Sequence, residues 1–119
     1  MDSKQIMERA VQILDSKKAS DIRVLDIHDI TVLGDYFIIA SGTSTTQVKS
    51  LADELEFQLK QEGVAPNRTQ GYESATWIVL DYGDVIVHVF LKETRDFYSL
   101  EHVWRDGKEI SVASIVGEV

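Results

Sequence analysis

Asp35-Tyr36-Phe37-Ile38-Ile39-Ala40-Ser41-Gly42-Thr43-Ser44-Thr45-Thr46-Gln47-Val48 is the stretch whose reading decides the fold. Tyr36 to Ala40 is a nearly continuous run of β-formers, the pattern of a strand covered on both faces. Ser41-Gly42-Thr43 breaks it. Ser44, with Gln47 three residues on, has the form of a capping box and opens a helix that should run to about Glu62. The buried stripe of that helix is Val48, Leu51, Ala52, Leu55 and Leu59, and Gly63 is a natural C-terminal cap. A strand turning directly into a long capped helix is the unit of a layered α/β protein.

Upstream, Ser3 to Lys18 reads as an amphipathic helix with Ile6, Ala10, Ile13 and Leu14 on one stripe, followed by a strand over Ile22 to Ile27. Downstream, Pro66 demotes the next stretch to an edge strand or irregular segment. Thr76 to Leu80 and Val85 to Leu91 then form a hairpin around Tyr82-Gly83. A short helix over Thr94 to Val103, with Phe97, Leu100 and Trp104, completes a domain spanning 1–104, and 105–119 is expected as a tail. The order αββαβββα predicts a mixed five-stranded sheet with helices, in the α/β or α+β class.

Composition agrees with one domain: 119 residues, a single proline, 44% hydrophobic and 27% charged. No apolar run approaches the roughly 20 residues that span a bilayer. The chain has no cysteine, which excludes disulfides and thiolate metal sites. Asp2 and Glu8 stand where a basic-then-apolar leader would begin, so the expectation is a bacterial, cytoplasmic protein. Twenty acidic residues against twelve basic ones leave a net charge of −8. Sequence-specific nucleic-acid binding is not expected from so acidic a chain, whereas a basic protein surface would attract it.

With Tyr82-Gly83 as the loop, paired residues of the hairpin sum to 165, so Trp77 faces His88 and Val79 faces Ile86. One face carries Ile78, Leu80, Val85, Val87, Val89 and Leu91, a plain aliphatic core. The other carries Trp77, Val79, Asp81, Asp84, Ile86, His88 and Phe90, a mixture suited to recognition. The residues alone leave open whether that face docks a partner or is covered by the last helix.

Catalytic signatures are missing. The Ser41-Gly42-Thr43-Ser44 turn lacks the spaced glycines and Gly-Lys-Ser/Thr ending of a phosphate loop. Nucleotidyl transfer needs clustered carboxylates to hold metal, as in an Asp-x-Asp strand. Here Asp81 and Asp84 flank a turn instead. His28, His88 and His102 show no metal-ligand or triad spacing. No catalytic, cofactor or metal residue is therefore assigned.

Three blocks carry a resemblance. Asp35 to Ser44 with Gln47-Val48, then Trp77-Ile78-Val79-Leu80-Asp81-Tyr82-Gly83-Asp84-Val85-Ile86-Val87-His88-Val89-Phe90, then Arg95-Asp96-Phe97-Tyr98-Ser99-Leu100-Glu101 with Trp104, resemble the signatures of the ribosomal silencing factor (Iojap-like) family. The likeness covers Ser3 to Trp104. The family often has arginine where Thr46 stands and aspartate where Ser99 stands, so no contact is carried over to those two positions.

The resemblance implies a nucleotidyltransferase-like fold without catalytic carboxylates. It implies a translational repressor that binds the large ribosomal subunit through a conserved intersubunit-face protein, the fourteenth by customary count. Occupying that surface would bar the small subunit. The residues expected at the partner interface are Trp77 and Tyr82 as apolar anchors, Asp81 and Asp84 toward basic groups, and His88 and Tyr98. A homodimer through the aromatic face is expected when the protein is unbound, and the alternative function is a small nucleotide-binding enzyme using the Gly42 turn.

Overall fold

A computed structural model describes residues 1–29, 32, 34–98 and 107–117, with the backbone alone for 96–98. Helix α1 (Ser3–Ser16) starts at a capping box in which the Asp2 carboxylate accepts from the Gln5 amide and the Gln5 side chain accepts from the Asp2 amide. Strands β1 (Ser20–Asp26) and β2 (Tyr36–Gly42) follow. Helix α2 (Thr45–Gln61) buries the stripe expected of it: Val48, Leu51, Ala52, Leu55 and Leu59. Its end is a Schellman motif, with Gly63 at a φ of +87° and the Gly63 and Val64 amides donating to the carbonyls of Lys60 and Leu59. Next come β3 (Arg68–Gln70), β4 (Trp77–Asp81), β5 (Val85–Leu91) and helix α3 (Lys92–Tyr98).

The sheet has six strands, not five, in the order β3-β4-β5-β2-β1-β6. The sixth is β6 (Lys108–Ile110), followed by helix α4 (Val112–Val116), both within the segment expected as a tail. β6 pairs antiparallel with β1, Arg23 and Glu109 form an ion pair between them, and α4 packs on α1. Three residues of edge strand are too few to leave a periodic pattern, which is why alternation did not reveal it. The central pair, β2 and β5, is parallel and the other pairs are antiparallel. Helix α3 starts two residues before the expected Thr94, and 99–106 lie outside the described residues.

Helices α1 and α2 cover one face of the sheet, over a core that includes Ile38, Ile78, Leu80, Val85, Val87 and Val89. A second, smaller core lies on the other face: Leu25, Ile27, Phe37, Ile39 and Phe90, with half-buried Trp77 packed against it.

Candidate functional site

The hairpin pairs two residues away from the expected register. Trp77 lies opposite Phe90, Val79 opposite His88 and Asp81 opposite Ile86, so the partners sum to 167 rather than 165. The cause is the turn. Gly83 and Asp84 form its tip, with Gly83 at a φ of +87° and the Tyr82 amide donating to the Val85 carbonyl (2.9 Å). A two-residue hairpin loop wants positive φ at its first position, which glycine adopts without strain and tyrosine does not. A slip of two preserves each side chain's face, so the division into an aliphatic and a mixed face stands even though the pairing does not.

The turn is tied to the rest of the sheet. The Asp84 carbonyl accepts from the amides of Asp35 (2.7 Å) and Tyr36 (3.0 Å), and the Asp81 carboxylate accepts from the Gly83 amide (2.8 Å). The start of the deciding strand is thereby docked on the hairpin tip. Asp81 serves the turn and its side chain is half-buried, whereas Asp84 is exposed.

On the second face, Trp77 Nε1–H donates to His88 Nδ1 (2.9 Å). The Trp77 ring stacks on Phe90 with centroids 4.9 Å apart, and Phe37 lies 4.3 Å from the imidazole. His88 is 7% exposed, and its Nε2 has no hydrogen-bond partner among the described residues. Burial pushes its pKa down to about 4, so it is neutral near pH 7. Beside it is a depression of about 330 Å³. Phe37, Val79, Ile86 and His88 contribute to its apolar wall, and Arg68, Gln70 and Asp81 supply polar groups.

Of the residues expected at the interface, Trp77, Asp81 and His88 are brought together here, and Asp84 sits exposed at the adjoining tip. Tyr82 is not. Its place just past the end of β4 turns it to the helix face, where it is 8% exposed within the main core, and its buried hydroxyl has no partner among the described residues. It therefore offers no exposed aromatic surface in this conformation. Burial pushes its pKa up. The Tyr98 side chain lies outside the described residues. Arg68 and Gln70 were not among the expected residues, because only the pairing of β3 with β4 brings that edge strand beside Val79 and Asp81.

The Ser41-Gly42-Thr43 turn has its polar groups engaged by the chain itself. Gln47 Oε1 accepts from the Thr43 amide (2.7 Å), one residue before the expected capping-box partner, and Ser44 Oγ accepts from the Gln47 amide (3.1 Å). Arg95, only 5% exposed, donates to Ser41 Oγ (2.7 Å) and to the Asp21 carbonyl (2.6 Å). No group of three or more His, Cys, Asp or Glu placed to hold a metal occurs among the described residues. Nor is any of their helices long and apolar enough to cross a membrane.

The comparisons with known proteins agree with the resemblance. The family model described as "Ribosomal silencing factor during starvation" matches residues 1–118. A Bacillus subtilis protein named ribosomal silencing factor RsfS is 40% identical over 106 residues, 89% of this chain and 90% of that protein. A mouse protein named mitochondrial assembly of ribosomal large subunit protein 1 is 30% identical over 101 residues, 82% of this chain and 44% of its own length. A crystal structure of a Chromobacterium violaceum protein superposes with a TM-score of 0.85 at 39% identity, covering 93% of this chain and 92% of that one. With its sequence matched almost end to end and its fold shared, the chain belongs to the family of ribosomal silencing factors during starvation.

Proposed function

We propose that this protein represses translation by docking the second sheet face, around Trp77 and the hairpin tip, on a basic protein at the intersubunit face of the large ribosomal subunit. The large-subunit protein named by the resemblance, the fourteenth, is the proposed partner. The bound domain excludes the small subunit by volume, so the mechanism requires no bond-making step. The observation that carries this reading is the half-exposed Trp77, Val79 and Ile86 beside an apolar depression, with the exposed Asp84 next to them. Aromatic anchors with a polar rim are how protein interfaces concentrate their binding energy. The mouse relative's name, with its reference to the large subunit, supports that subunit as the target, and the net charge of −8 suits a basic protein on it. The self-engaged turn at Gly42 favours this reading over a nucleotide-binding enzyme. The protein is placed in the bacterial cytoplasm, and the same face would let it self-associate when unbound.

Sedimentation with separated subunits tests the proposal. The protein should pellet with the large subunit and inhibit subunit joining without added nucleotide. Trp77→Ala should remain folded and bind at least about thirtyfold more weakly, the equivalent of about 2 kcal/mol at an anchor position. Pelleting with the small subunit alone, or a folded Trp77→Ala that binds as wild type, would refute it.

A further inference from the structure

An indole nitrogen can only donate a hydrogen bond, so the contact from Trp77 Nε1 makes His88 Nδ1 the acceptor. The imidazole must then be neutral, with its proton on Nε2, the form that burial also favours. The ring is flanked by Phe37 at 4.3 Å and by Phe90, nearly parallel to it at 6.1 Å between centroids. Trp77 is half-exposed, whereas His88 is almost wholly enclosed and its Nε2 is buried. The two neighbours therefore differ in what they can do: one presents surface, and the other is placed to hold it.

Building on the docking reading above, we infer that His88 is a positioning residue that fixes the orientation of the Trp77 indole through the Nε1–Nδ1 hydrogen bond and makes no polar contact with the ribosome itself. A side chain already held in its bound rotamer avoids most of the ordering cost that an interface otherwise bears. The arrangement also fixes the tautomer: with Nδ1 committed to the indole, the proton sits on Nε2, which has no partner among the described residues. Among the described residues, Asp81 on β4 and Arg68 on β3 are the charged groups sharing its depression. The Asp81 carboxylate is engaged by the Gly83 amide.

Four variants of the full chain test this, read by melting temperature, large-subunit affinity and, where Trp77 is kept, its indole ¹H–¹⁵N resonance. His88→Leu removes the acceptor and with it the buried Nε2–H, which has no partner among the described residues. It should melt at or above wild type, shift the indole resonance and bind about tenfold more weakly, the upper range for one hydrogen bond. His88→Asn puts an amide oxygen near the place of Nδ1 and should recover most of the affinity. In a Trp77→Phe background, which keeps a ring without the donor, His88→Leu should cause no further loss.

A merely structural histidine would instead lower the melting temperature of His88→Leu and lose affinity equally in both backgrounds. The inference is overturned if His88→Leu folds and binds as wild type, if its loss persists with Trp77→Phe, or if the indole resonance does not move. Wild-type protein that binds no large subunit removes the docking reading and this inference together. The other failures leave the docking reading in place.

Discussion

Tyr82 illustrates how a single residue can be misread from its neighbours. Beside Gly83 it looks like a loop residue, but the tight turn begins one position later and the ring enters the core with its hydroxyl unpaired among the described residues. A buried hydroxyl without a partner costs about 1–3 kcal/mol. Tyr82→Phe should therefore raise stability by about 1 kcal/mol in urea unfolding, and a destabilised variant would mean that the hydroxyl is satisfied. His88 supports a prediction of opposite kind. Its pKa is about 6.5 unfolded and about 4 folded, so the unfolded chain takes up the proton first as pH falls. Above pH 6.5 the ring is neutral in both states and its titration has no effect; as pH falls from 6.5 to 4, protonation of the unfolded chain lowers stability by a total of about 3 kcal/mol. His28 works the other way, because its hydrogen bond with Asp26 raises its pKa, but it is common to both proteins in a comparison of wild type with His88→Leu. The variant should lose less stability than wild type over that pH range in parallel urea titrations, and equal losses would exclude the titration of His88 as the cause.

Elements differ in how fully their sequences announce them. Helix α2 was legible to its caps because period, N-cap and C-terminal glycine all agree, and each is a local property. The strand faces were legible because alternation survives a two-residue slip, although the pairing was not. Edge strand β6 was not, since it is held by Arg23 and by backbone bonds to β1, which are distant in sequence. The candidate site divides along the same line. Trp77, Asp81 and His88 share one hairpin and could be found from parity, whereas Arg68 and Gln70 arrive from β3, whose register no local signal gives. The link from β3 to β4 has its own requirement at Gly71. With a φ of +93°, a Cβ there would stand 2.0 Å from the Trp77 carbonyl oxygen, a backbone atom that cannot swing away. Gly71→Ala should thus cost about 2–3 kcal/mol from strain and overpacking, and should disturb Trp77 from its backbone side. Denaturant midpoints measure the loss, and a shift below about 0.5 kcal/mol would show that the loop yields.

At the scale of the whole molecule, the proposed docking would bring the net charge of −8 between two opposed fields on a ribosomal subunit. A basic protein would attract it, while the surrounding RNA would repel it, and dissolved salt screens both over a Debye length of about 10 Å at 0.1 M. The balance gives a prediction that separates a protein target from an RNA target. Affinity for the isolated basic protein should fall as salt rises, because attraction alone is being screened. Affinity for the intact subunit should fall less steeply, because screening also relieves the repulsion. Contact with phosphates behaves differently. Each neutralised phosphate releases counterions, and six to ten of them cost roughly 10³–10⁵ in affinity between 50 and 200 mM salt. Equilibrium binding at fixed magnesium, run in parallel on the isolated protein and on the subunit, measures both slopes. A steeper slope for the subunit would mean that cations such as Lys17, Lys18 or Lys49 grip RNA, and that the domain sits on the ribosome by another face. A shallower one is the result expected of an acidic protein that finds a basic patch among phosphates, where misplaced orientations are repelled before they can dock.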